Sequence, residues 1–186
     1  MKMTRLLVLL AMMASMFAGF GCASRSAVSE LRWDNVIAYT HDVTGDSVSV
    51  TVDPPYVYRE FTERSFEGVE VEGYLFVKNE TDTILVTRMV REDFEQLVGS
   101  TLDVPMTGVT SFPPKSIFEA QFCELVRAYV VTLEKDVVAV VRVKGLNPEK
   151  KPCEPWTNLD DVTNARPDVV NKFDKSADAA IRISWK

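Results

Sequence analysis

Apolar and polar positions along the chain fall into two regimes. Leu6 to Phe20 form a run of 15 residues with no charged side chain, and from about residue 30 onward apolar positions return in short alternations. Val48, Val50 and Val52 alternate with serine and threonine, the period-two pattern of a half-buried strand. This predicts a hairpin pairing Asn35–His41 with Ser47–Asp53 around a turn at 42–46. Pro54 and Pro55 end its second strand, and Tyr56–Phe61 reads as an extended piece on a sheet edge, where proline nearby is tolerated. In the next hairpin Val69, Val71, Leu75 and Val77 alternate with Glu70, Glu72, Tyr74 and Lys78, turn at Asn79–Asp82 and return as Thr83–Arg91. With Lys78 opposite Thr83, Leu75 faces Val86, Gly73 faces Arg88 and Glu70 faces Arg91 as a cross-strand ion pair. Arg88 then lies on the apolar side and snorkels at the sheet end.

Residues 91–99 predict one or two helical turns that place Phe94, Leu97 and Val98 on the core and stop at Gly99. Lys115–Leu133 supports two readings: Phe118, Phe122, Leu125, Val126 and Tyr129 recur at helical spacing, while Val130, Val131 and Thr132 favour strand. A hairpin of Ala128–Glu134 with Val137–Lys144 turns at Lys135-Asp136, and its near-continuous valine run from 137 to 143 implies a central strand buried on both faces. Pro167 starts a short helix to Lys175, and Ala179–Trp185 closes the chain as a strand with Ile181 and Ile183 inward. No internal repeat is evident. Beyond residue 22 valine outnumbers leucine by 26 to 9, a bias toward pleated surfaces. We therefore expect a mainly β protein: an antiparallel β-sandwich, immunoglobulin-like in general architecture, with one or two short helices. The alternative is an α+β domain with a helix around 115–133 packed on an antiparallel sheet.

Composition changes this picture little, whereas charge narrows the partners. With 186 residues and 46% apolar content the chain can bury one core. Its formal charge of −6 lacks the basic stripe that neutralises phosphates, so nucleic acid is excluded as a partner.

The apolar run itself reads as an export signal, with Lys2 and Arg5 before it. At 1.5 Å per residue it covers about 22 Å, short of the roughly 30 Å of bilayer hydrocarbon. The following stretch Phe17-Ala18-Gly19-Phe20-Gly21-Cys22-Ala23-Ser24 resembles the lipobox of bacterial lipoproteins, although Gly19 stands where leucine is commonest and Phe20 is bulkier than usual. The resemblance covers these residues alone. It implies that Cys22 takes a diacylglycerol and becomes the mature N-terminus, with Ala23 directing passage to the outer membrane, facing the periplasm. Ordinary secretion with cleavage after Ser24 is the competing outcome. The chain then divides into a signal (1–21), a lipidated tether (22–29) and a single β-rich domain (30–186). Removing the signal leaves 19 basic and 27 acidic residues, a balance of −8.

Cys22 set aside, Cys123 and Cys153 remain in an oxidising compartment, and a disulfide between them staples the proline-rich, polar loop around 145–166. They lack the C-x-x-C spacing of a redox pair.

Catalytic chemistry is sparse. His41, the only histidine, sits beside a predicted turn; no G-x-S-x-G, S-x-x-K or phosphate-loop motif occurs. The glutamates at 60, 63, 67, 70 and 72 could serve a glycosidase, which needs two carboxylates across a cleft, but a charge run is usually a solvated face. Asp160, Asp161, Asn164 and Asp168 could offer oxygens to calcium, yet suit caps and turns better. Asn79-Glu80-Thr81 fits a glycosylation pattern and reads as turn chemistry. We expect no catalytic residue, metal or cofactor. Tyr56, Tyr58 and Phe61 form an aromatic edge-strand patch that could receive another protein's strand, or could cover the domain's own core. The function expected is therefore that of a lipid-anchored envelope protein whose non-catalytic domain binds or positions another envelope component, tied to the membrane through its lipid and to a partner envelope protein. Its alternatives are a carboxylate-dependent enzyme on cell-wall glycan and a lipoprotein that binds a small ligand or cation.

Overall fold

In the computed structural model the described residues are 29–31, 35–40, 45–66, 69–98, 108–133, 135–147, 153 and 155–186; side chains at 29, 62–66, 69–70 and 97–98 are outside the description. Two antiparallel sheets face each other. The smaller contains β1 (Ser29–Leu31), β2 (Val36–Thr40), β3 (Ser47–Val52) and the final strand β10 (Ile181–Trp185), in the order β1-β2-β3-β10. The larger runs β4-β5-β6-β9-β8-β7, built from β4 (Val57–Phe66), β5 (Val69–Asn79), β6 (Asp82–Val90), β7 (Val109–Glu119), β8 (Glu124–Leu133) and β9 (Asp136–Gly145). This is the expected β-sandwich. It is immunoglobulin-like only at the level of two packed sheets, because its large sheet is made of meanders and not of a Greek key.

Segment 115–133 is a hairpin of β7 and β8, so the helical alternative is not realised. Helical spacing of its rings competes with β-branched residues at 130–132, and pairing with β9 decides in favour of strand. β9 is central and buried on both faces over residues 136–143, as its valine run implies. Inner-face side chains Tyr74, Phe76, Ile84, Val86, Tyr129, Val131, Val138 and Val140 pack against Ile37, Tyr39, Val48, Val50, Val52 and Ile181 of the small sheet. Leu75, Leu85, Val126, Ala139 and Val141, on the opposite face, are also buried.

That second buried face explains an error in register. β5 opposes β6 one residue away from the expected pairing: Leu75 meets Leu85, Tyr74 meets Val86, and Arg88 lies opposite Glu72, not Gly73. With apolar residues on both faces, alternation cannot tell one register from the other. The turn shrinks to Glu80-Thr81, and an irregularity between Val77 and Asn79 absorbs the shift. The ladder does not bring Glu70 opposite Arg91. Arg91 begins helix α1 (Arg91–Val98) and pairs instead with Glu95 at 3.0 Å.

The large sheet contains a repeat that the sequence hides. Adding 54 to a residue of β4 or β6 gives its counterpart in β7 or β9, and the outer ladders match pair for pair: Val57–Val77 with Ser111–Val131, Tyr58–Phe76 with Phe112–Val130, Phe61–Tyr74 with Lys115–Ala128. Both outer ladders bulge at the same place, after Tyr58 and after Phe112. β6 and β9 meet antiparallel with Val86 opposite its own counterpart Val140. A pseudo-twofold axis therefore passes through that fully buried valine pair and relates the meander β4-β5-β6 to β7-β8-β9.

The stretch expected to be a stapled loop contains helix α2 (Leu159–Ala165). Asn158 caps it by accepting the Asp161 amide at 3.0 Å, while Asp161 accepts from the Thr157 amide and hydroxyl at 2.9 and 2.8 Å. Helix α3 (Pro167–Ala180) starts at proline as expected but runs past Lys175, because Ala177, Ala179 and Ala180 favour helix and Val170, Phe173 and Ala177 continue its buried stripe. It passes directly into β10. Together α2, α3 and the end of β8 bury a second small core around Leu125, Val162 and Phe173. Among the described residues no helix is long and apolar enough to cross a membrane.

Candidate functional site

Two Asp–Arg pairs lie on the inner face of β6 and β9, and the pseudo-dyad exchanges them. Both strands read Asp, five residues, Arg: Asp82 to Arg88 and Asp136 to Arg142. Because the strands are antiparallel, each aspartate meets the arginine of the other.

At one end Arg142 holds Asp82 with two parallel bonds of 3.0 and 2.9 Å, their side chains 2% and 4% exposed. The remaining guanidinium nitrogen donates to the Phe173 carbonyl at 3.1 Å and the Ser176 hydroxyl at 2.6 Å of α3, and the Phe173 ring lies 4.8 Å from the guanidinium carbon. Tyr56 donates its phenol to Asp82 at 2.6 Å. Burial alone would raise the Asp82 carboxyl. The hydrogen bonds from Arg142 and Tyr56 outweigh it and hold that carboxyl below the ordinary aspartate value. A fully bonded, buried ion pair of this kind fixes geometry more than it does chemistry.

At the other end Arg88 donates to Asp136 at 3.0 Å and lies 3.6 Å from Glu72. It does not snorkel: it is 7% exposed, drawn inward by carboxylates on both neighbouring strands. Tyr39 of the small sheet faces this group with its hydroxyl buried and, among the described residues, without a hydrogen-bond partner. Burial raises that phenol well above its usual value, with Tyr74 and Glu72 adding to the rise and Arg88 opposing it.

A third arginine ties α3 to β8. Arg127 donates to both carboxylate oxygens of Asp178 at 2.9 and 3.0 Å and to Ser116, whose hydroxyl donates to Asp174 at 2.6 Å.

The aromatic trio expected as a patch is divided. Tyr56 is 3% exposed and belongs to the Asp82 network, so it is unavailable to a partner. Tyr58 is half-buried against Phe76 and Tyr74, and Phe61, 38% exposed, lies 4.8 Å from the Tyr74 ring. Val57 beside them is 67% exposed. β4 is an edge strand, as expected, and so is its counterpart β7. The bulge of β7 contains Pro113-Pro114, which cannot donate to a further strand; the bulge of β4 contains only Arg59.

Cys123 and Cys153 form the disulfide, Cα atoms 4.8 Å apart, and fasten the stretch leading to α2 onto the β7–β8 turn. Asp161 works as a cap partner, and among the described residues no group of three or more acidic, histidine or cysteine side chains could hold a metal ion. Thr81 donates its amide and hydroxyl to Asn79, which is turn chemistry. Glu60 is exposed, whereas Glu72 is engaged with Arg88. Cys22 with the signal, His41, Glu67 and the side chains of Glu63 and Glu70 lie outside the described residues.

Sequence reasoning missed Asp82, Arg142 and Arg127, although the repeated Glu-x-Asp-x5-Arg at 80–88 and 134–142 was a signal for the first two. No protein-family model, curated protein or solved structure matches the chain.

Proposed function

We propose that this protein is a lipid-anchored component of the bacterial cell envelope, held at the outer membrane through Cys22, whose β-sandwich binds or positions another envelope protein without catalysis. The observation that carries the binding reading is the contrast between equivalent edges. β7 is blocked by two prolines, while β4 is ten residues long, has no proline, and exposes Val57 and Phe61 beside Tyr58. An open edge with alternating pockets accepts an extended segment by strand addition. The interior arginine pairs support the same reading, since a body cross-tied at both ends presents its edge without deforming.

The test is crosslinking in intact cells with the native signal and Cys22 unchanged, followed by mass spectrometry of the membrane fraction. A reproducible protein partner, lost in Val57→Lys/Phe61→Lys while the variant keeps its melting temperature, is the expected result. Tyr56 is left intact because its loss would disturb folding. Crosslinks unchanged in that variant would remove β4 from the reading, and Cys22→Ser protein remaining in the membrane fraction would remove the lipid.

A further inference from the structure

The two ends of the β6–β9 pair differ in a charge that the Asp–Arg cross does not require. Asp82 lies opposite Lys144, whereas Asp136 lies opposite Val90, the counterpart of Lys144 across the pseudo-dyad. Lys144 continues the inner phase of Val138, Val140 and Arg142 and is half-buried. Two further lysines converge on it from neighbouring elements. Lys78 occupies the irregularity of β5 between Val77 and Asn79, and Asn79 lies opposite Asp82, so Lys78 and Lys144 flank that aspartate from its two neighbouring strands. Lys172 of α3 precedes Ser176 by four residues, and the Ser176 hydroxyl accepts from Arg142 at 2.6 Å, so both stand on the helix face turned to this end.

Arg142 already spends its fork on Asp82. Among the described residues none of the three lysines makes an ion pair, and neither does Glu80 of the adjoining turn nor Asp168, one turn before Lys172. Burial holds the Lys144 ammonium below its ordinary value; Asp82 opposes that shift, and Arg142, Lys78 and Lys172 add to it. Such a gathering of cations stands out in a chain whose acids outnumber its bases 27 to 21, and a bound anion would offset the repulsion among them.

We propose that Lys78, Lys144 and Lys172 form a binding site for a phosphate dianion, either free or carried as the monoester of a small molecule. The donor set selects that class. Ammonium groups are compact point charges, and three of them on separate elements suit a tetrahedral anion approached from several sides. A planar carboxylate is met best by an arginine fork, and the fork of Arg142 is taken. Lys144 supplies the half-buried floor, and Lys78 and Lys172, both exposed, supply the rim. The site uses no residue of β4, so it stands or falls apart from strand addition at that edge.

The experiment follows amide chemical shifts and melting temperature of the purified full-length protein as inorganic phosphate, and separately glycerol phosphate, is added at constant ionic strength and mildly alkaline pH. Saturable shifts at Lys78, Asp82, Lys144, Gly145 and Lys172 are expected, with a melting temperature that rises by mass action. Lys144→Met should weaken binding by about tenfold or more, and Lys78→Gln/Lys172→Gln, at two exposed positions, by at least about tenfold. Lys186→Gln, at the opposite end of the small sheet beside Ser47, should bind as the wild type does. Tighter binding of glycerol phosphate than of inorganic phosphate identifies a monoester as the ligand, and equal binding identifies the free anion. Shifts without saturation, acetate binding as tightly as phosphate, equal weakening by Lys186→Gln, or uptake on phosphatidylglycerol vesicles while neither small anion saturates overturns the proposal.

Discussion

The same Asp–Arg cross occurs twice in the large sheet, and the difference between its two settings shows what surroundings do to an ion pair. Around Asp82 and Arg142 every guanidinium nitrogen is bonded: α3 supplies a carbonyl and a hydroxyl, and Tyr56 supplies a phenol to the carboxylate. Around Asp136 and Arg88 the carboxylates still meet water and, among the described residues, the Tyr39 phenol has no hydrogen-bond partner. The first end ties β6, β9, Tyr56 and α3 into one unit. The second keeps part of its carboxylate surface in solvent. Backbone pairing and charge pattern are symmetric about Val86 and Val140, so the asymmetry arises from what the rest of the chain packs against each copy.

Breaking the closed end should have the largest effect. Asp82→Ala leaves Arg142 buried and charged without its carboxylate, a loss of about 3–5 kcal/mol of unfolding free energy by urea denaturation. The disulfide fastens the cover of that same end, since Cys123 accepts the Leu146 amide next to the close approach of Gly145 to Thr81. Cys123→Ser/Cys153→Ser should cost about 3–4 kcal/mol, from the chain entropy released over a separation of 30 residues. The equivalent change at the other end, Asp136→Ala, should cost less, about 1–3 kcal/mol, because Glu72 still faces Arg88 and water has access. Equal losses for Asp82→Ala and Asp136→Ala would mean that the surroundings do not matter.

Acid should sharpen the contrast. The Asp82 carboxyl is held below its unfolded value, so its contribution is complete above about pH 4 and is lost as pH falls through the lower folded value. Melting temperature measured from pH 6 to pH 2 should fall steeply at the acid end in the wild type. In Asp82→Asn it should start lower and fall less.

Much of this arrangement was legible in the chain. Alternating valines give the hairpins, and the run from Val137 to Val143 places β9 at the centre because only a strand covered on both faces can be apolar throughout. The edge position of β4 followed from Pro54-Pro55. Alternation failed where both faces are buried, and the one-residue slip of β5 against β6 moved Arg88 from a glycine to a glutamate, concealing its role. The repeat escaped notice because its copies share pairing and bulge positions while few side chains coincide: Phe61 corresponds to Lys115, and Tyr58 to Phe112. Helix α2 was hidden by neighbouring prolines, although Asn158 followed three residues later by Asp161 is a capping signal that could have revealed it.

The smallest expected effect is also the most discriminating, because it removes the same atom at each end. Tyr56→Phe deletes a phenol that donates to Asp82 at 2.6 Å, and the carboxylate keeps its two bonds from Arg142, so the loss should be about 1–2 kcal/mol. Tyr39→Phe deletes a buried hydroxyl that has no hydrogen-bond partner among the described residues, and removing such a polar atom should raise stability by up to about 1 kcal/mol. Urea midpoints of the two variants should therefore move in opposite directions from the wild type, with unchanged slopes. Midpoints that move together would mean that the Tyr39 hydroxyl is as well satisfied in the fold as that of Tyr56.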